Sequence, residues 1–282
     1  RRPVLFVVAA PQDEPAATSA TTVTAVAIAV VEPGVVVRSP ISHAGSADDQ
    51  TRELRAFSDT YFAASETVEL LRGGALAGSM RFAGDARTGD SLPVARLMSV
   101  VPGQSPGIER EEVLLAVTDR RIGASSSGVR PMRESHRAEV DQLARRIFRD
   151  RFPGTQIDGD LTMRVRVADL NRDGQPEILA TVSARLHAEA KPVERANLFV
   201  IAESIADGTS DPSVRSTFVM TSVAPDPVEP DLVTFVDQVD LSPDVYDEVV
   251  LRIASDDSAE YLVLQRRGPE WFEVFASDRV RL

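Results

Sequence analysis

Residues 169–177 read Asp-Leu-Asn-Arg-Asp-Gly-Gln-Pro-Glu, a D-x-N-x-D-G-x-x-E spacing set between two apolar, β-prone runs. In a tight loop alternate side chains turn to one side, so Asp169, Asn171 and Asp173 aim their oxygens at a common point. Calcium takes about 6–8 oxygen ligands at roughly 2.3–2.6 Å, and such a loop can supply them. The carbonyl of Gln175 extends the set, as does the carboxylate of Glu177, directly or through water. Gly174 takes the positive φ that the turn requires without strain. The other reading of the string is an acidic turn whose side chains cap its own amides.

With its flanks the string is VADLNRDGQPEILA, and it resembles the acidic loop of FG-GAP and VCBS-type repeats, found in integrin-like propellers and many bacterial secreted proteins. The resemblance covers roughly residues 161–282. It implies one calcium ion, with Asp169, Asn171, Asp173, Gln175 and Glu177 at the ligand positions. An EF-hand is a poorer match, because strands and not helices flank the loop. A fainter copy starts 71 residues later, where Asp240, Asp244 and Glu248 align with Asp169, Asp173 and Glu177. There Val245 replaces the glycine, Pro243 stiffens the loop and Ser242 is a weaker ligand, so a metal-free turn is expected. Two units fall short of a propeller of at least about four blades. The expectation is a small β-domain of paired repeats.

Catalytic patterns are missing by comparison. His43, His136 and His187 lie far apart in sequence, and each is expected in a surface or structural role. No G-x-S-x-G elbow and no Walker loop occurs; the glycines of 123–128 have the wrong spacing, and Gly73-Gly74 reads as a hairpin turn. The chain has no cysteine, which excludes disulfides, thiol nucleophiles and zinc–thiolate sites. The 43 acidic residues offer many carboxylate pairs, and nothing singles one out. Glu109, Glu111 and Glu112 read as a solvated strand entry, and Trp271, Phe272 and Phe275 as core.

The elements that must carry the loop follow from periodicity. Val4 to Ala10 reads as a buried first strand ending at Pro11. Further strands are expected at 22–31 and 35–37, a helix at 48–64 capped by Ser46 or Asp48, a hairpin of 67–71 with 75–82, and a strand at 113–118. The Gly/Ser-rich stretch 119–132 marks a boundary between a β-rich domain with one helix, 1–130, and a second domain, 131–282. The latter opens with a helix over 135–151, whose Val140, Leu143, Ala144, Ile147 and Phe148 share one face. Strands follow near 161–167, 178–184, 198–202, 217–223, 232–239, 249–254, 261–265 and 271–276, with the proline-studded stretch 224–230 dividing them. The fold class expected is α+β: mostly antiparallel strands with two principal helices, the C-terminal half built from two related β units.

Composition bounds the partners. Net charge is −12, which disfavours nucleic acid and anionic lipid. Basic residues are arginine except Lys191, and only Asn171 and Asn197 are asparagine, the mark of a high-GC bacterial coding bias. No apolar run is long enough for a membrane-spanning helix. Together these features point to a non-enzymatic, extracytoplasmic (periplasmic or secreted) binding or scaffold protein with a protein partner, an accessory subunit of a cell-envelope complex, stabilised by Ca2+ at one loop. The alternative is an extracytoplasmic hydrolase with an unrecognised site in residues 1–130.

Overall fold

A computed structural model of the chain describes residues 2–10, 22–32, 36–42, 45–63, 66–88, 92–101, 108, 112–119, 122, 130–188, 193–205, 213–242, 246–255 and 257–280. Its N-terminal strands are β1 (Val4–Ala9), β2 (Thr22–Glu32) and β3 (Val36–Arg38), followed by helix α1 (Ala47–Tyr61). Next come β4 (Thr67–Arg72), β5 (Ala75–Thr88), β6 (Pro93–Ser99) and β7 (Val113–Val117). The order β1-β7-β4-β5-β6-β2, closed by pairing of β2 back onto β1, makes a six-stranded ring with β3 appended to β2. Closure explains why β1 is an unbroken apolar run: both faces are covered. Val4, Phe6 and Val8 face one cluster, with Phe57, Phe62 and Phe82 around them, while Leu5 and Val7 face another. Burying each such side chain contributes about 1.5–3 kcal/mol.

Helix α1 begins where the sequence places it. Ser46 Oγ accepts the Asp49 N–H and Asp49 Oδ2 accepts the Ser46 N–H, a reciprocal cap. The hairpin of β4 and β5 turns at Gly73 and Gly74, both with positive φ. Strand β6 is absent from the sequence-based expectations. Its seven residues open on a proline and alternate Ala95 and Leu97 with Val94 and Arg96, and β5 and β2 pair with it on either side.

Helix α2 (Glu134–Arg151) then lays Val140, Leu143, Ala144, Ile147 and Phe148 on the outer face of a four-stranded antiparallel meander. That sheet is β8 (Gln156–Ala168), β9 (Glu177–His187), β10 (Glu194–Ile205) and β11 (Ser213–Pro225). After the proline-rich link a second meander follows: β12 (Leu232–Val239), β13 (Glu248–Ala254), β14 (Ala259–Arg267) and β15 (Glu270–Ala276). The two meanders pack face to face through Leu179, Phe199, Ile201, Val249, Leu251, Leu262, Leu264 and Trp271. The second presents its other face to the ring, where Val250, Tyr261 and Val263 join Leu5, Val7 and Ile28. Val249-Val250-Leu251 is thus continuously apolar because its sheet is covered on both sides.

The molecule is therefore mostly antiparallel β with two helices among the described residues. A single buried cluster runs from the ring into the last sheet, across the stretch 119–132. Phe272 differs from its expected core role: period two turns Trp271 inward and leaves Phe272 outward, 42% exposed. No helix among the described residues is long and apolar enough to cross a membrane.

Candidate functional site

The first acidic loop joins β8 to β9, and the pair Ala168↔Glu177 closes its base. Its turn is made by Arg172, at φ 58°, and Gly174, at φ 84°. A Cβ on Gly174 would meet nothing within 4 Å, so conformation and not space reserves that position for glycine. The side chains fold the loop by capping its amides. Asn171 Oδ1 accepts the Asp173 N–H at 3.0 Å, Asp173 Oδ1 accepts the Gln175 N–H at 2.7 Å, and Asp169 Oδ2 accepts the Gly174 N–H at 3.2 Å. Asn171 Nδ2 also donates to Asp173 Oδ2 at 2.9 Å.

Asp169 is 3% exposed, and its two oxygens fare differently. Oδ2 has Gly174 and, at 3.3 Å, Arg130; Oδ1 is enclosed and has no partner. A buried carboxylate oxygen left without a donor is costly, and a cation is one remedy. Glu177, 1% exposed, turns inward. Its Oε2 accepts the Leu170 N–H at 2.7 Å and its Oε1 pairs with Arg266 Nη1 at 3.2 Å. Burial pushes its carboxyl up to about 7, against the opposing pull of the Leu170 amide and, more weakly, Arg266. Arg266 also pairs with Glu203 and lies 5.1 Å over the Tyr246 ring.

The second loop joins β12 to β13 and is closed by Val239↔Glu248. Here Glu248 Oε2 accepts the Leu241 N–H at 2.8 Å. Asp244, with Pro243 and Val245, lies outside the described residues. Asp247 is fully buried and takes a hydrogen bond from Gln238 Nε2 at 3.1 Å. The cation at this loop is Arg172 of the first loop. Its Nη2 sits 2.6 Å from both Asp240 Oδ2 and Asp247 Oδ1. Those bonds, Asp240 first, raise the guanidinium pKa against the effect of burial. The Asp247 N–H also donates to the Leu170 carbonyl at 2.9 Å, so backbone and side chain both tie the loops together.

Sequence reading located Asp169, Asn171, Asp173, Gln175 and Glu177 on one loop, and there they lie. Asn171, Asp173 and Gln175 join through the turn, while Glu177 points to Leu170 and Arg266. Among the described residues no group of three or more histidines and carboxylates is gathered tightly enough to hold a metal in this conformation. The donor set still fits a hard cation in part: an open buried oxygen on Asp169, and oxygen donors on Asn171 and Asp173. Arg172, Arg266 and Asp247 escaped the sequence reading. The only local signal was the second acidic residue beside Glu248.

Elsewhere, His136 accepts the Arg133 N–H at its Nδ1, capping α2, and His187 is exposed at the end of β9. His43, Glu109 and Glu111 lie outside the described residues, and Glu112 pairs with Arg72 at 2.8 Å. Compared with known protein families, curated proteins and solved structures, the chain finds no match in any of the three.

Proposed function

We propose that the chain is a non-catalytic binding or scaffold protein acting outside the cytoplasm, an accessory subunit of a larger cell-envelope assembly, with a loop that calcium orders. The observation that carries this reading is the unpartnered Asp169 Oδ1, enclosed in a loop already folded with the D-x-N-x-D-G pattern. Asp169, Asn171, Asp173 and the Gln175 carbonyl would hold the ion, with Glu177 bearing on it through water while it closes the loop base. Calcium would supply charge neutralisation and rigidity, and no reaction.

The two meanders are further read as copies of one unit, as FG-GAP and VCBS-type repeats would be. Both place an acidic loop between their first and second strands. In both, a glutamate nine positions into the loop accepts the amide of the loop's second residue, Leu170 or Leu241. The scaffold role is supported by where the charged residues go. Arg172, Asp247, Arg266 and Glu177 lock sheet to sheet. Calorimetric titration with calcium tests the site: one ion bound by the native chain and none by Asp169→Asn is expected. Equal binding by both would remove the loop from the account.

A further inference from the structure

A cavity of about 490 Å3 opens where the ring and the two meanders meet. Its volume lies in the range of small-molecule sites, about 300–1,000 Å3. One wall comes from β8, where Arg164 and Arg166 pair with Thr181 and Leu179 of β9. Period two turns these arginines away from α2, toward the second meander, on the same face as Phe199. Arg252, opposite Thr234 on β12 and Tyr261 on β14, lines the cavity from the ring-facing side of the second meander, and Arg72 and Glu112 line it from the ring.

The charges around this space do not balance. Four arginines face two acids, Glu112 and Asp237. Glu112 is taken by Arg72. Asp237 Oδ1 accepts the amides of Gly74 and Gln238, which pins the β4–β5 turn to the second meander. Burial then drives its carboxyl up to about 6, with Arg166 among the weaker opposing influences. Arg164, Arg166 and Arg252 form no ion pair among the described residues; the Arg252 guanidinium meets the Tyr261 hydroxyl, but its Nε is enclosed with no acceptor. In a chain of net charge −12, three guanidinium groups without an ion pair around one cavity run against the overall trend. The rest of the lining includes Phe199, Phe235 and Leu114, an apolar floor beside the cations.

We propose that this cavity binds a small organic anion, a carboxylate or phosphate carried on an apolar body, through Arg164, Arg166 and Arg252. Guanidinium groups match such oxyanions with paired N–H donors. The apolar lining holds the body, and an acceptor for Arg252 Nε arrives with the ligand. The site is independent of the calcium loop.

The test is calorimetric titration at fixed ionic strength with phenyl phosphate and benzoate, using benzyl alcohol as the neutral control. Saturable binding of at least one anion is expected, at least tenfold weaker in Arg166→Gln and in Arg252→Gln. The control Arg137→Gln, on the exposed side of α2, should bind as the native chain does. Arg164→Gln and Arg166→Gln lie at exposed positions and should melt as the native chain does without ligand, so lost binding in them is not lost folding. No saturable binding of either anion, equal binding of benzyl alcohol, or undiminished binding by the arginine variants would overturn the proposal.

Discussion

The two acidic loops occupy the same place in their sheets and share the same base hydrogen bond, yet they meet their charge to different extents. At the second, two aspartates close on a cation that the protein itself provides, Arg172. At the first, Arg172 reaches across to its neighbour and Arg130 pairs with one oxygen of Asp169, while the other, Oδ1, stays enclosed without a partner. A fixed guanidinium neutralises a site permanently and ties it to whichever element carries the arginine. An open carboxylate leaves the site to a diffusible ion. The comparison shows how one chain can use one loop pattern as a permanent clasp and, on the proposed reading, as an ion-dependent one.

The clasp should break most severely. Arg172→Met takes the cation from Asp240 and from the fully buried Asp247, and breaking a buried pair on one side costs about 3–5 kcal/mol. Urea denaturation should show that loss, with Arg172→Lys recovering part of it. A loss below about 1 kcal/mol, the usual worth of an exposed pair, would mean that the two loops are not joined by charge.

The shared base bond comes next. Glu177→Ala and Glu248→Ala each leave a buried amide, Leu170 or Leu241, without its acceptor, at about 1–3 kcal/mol. The glutamine variants keep an acceptor and should cost less. Glu177→Gln also has a pH signature. The native carboxyl titrates near 7 in place of 4.5, so between those values the folded state holds a proton that the unfolded state has released. Stability from this group is therefore greatest below about 4.5 and falls as pH rises toward 7. Melts between pH 5 and 8 should show that fall in the native chain and a smaller one in Glu177→Gln. Identical slopes would mean that burial does not govern Glu177.

A smaller effect separates the turns. Gly174→Ala places a side chain at φ 84° and should cost about 1–2 kcal/mol through conformation alone, since the space is open. Gly174→Asn should cost less, because asparagine tolerates that region. Equal losses in thermal melts would point to crowding instead.

Much of this was legible in the residues, and what was not is physically specific. The α2 stripe and the whole of β12 follow from local periodicity, and the acidic loop from spacing. The partners of Arg172 stand 68 and 75 residues away, and no local pattern encodes a bond at that range. Arg164 and Arg166 alternate with Val165 in a way that reads as a solvated face. Only the neighbouring sheets turn that face toward a cavity. Strand β6 was hidden because it opens on a proline and one of its partners, β2, lies far back in the sequence, and Phe272 because alternation needs a known inward register before it assigns sides.

The most direct test of the loop comparison is a thermal melt in calcium and in EDTA on the native chain, Asp169→Asn, Asp173→Ala and Asp240→Asn. An ion that binds the folded state raises the melting temperature by mass action. The account predicts a calcium-dependent rise in the native chain and in Asp240→Asn, lost in Asp169→Asn and Asp173→Ala. No rise in the native chain, or a rise that only Asp240→Asn abolishes, would contradict it.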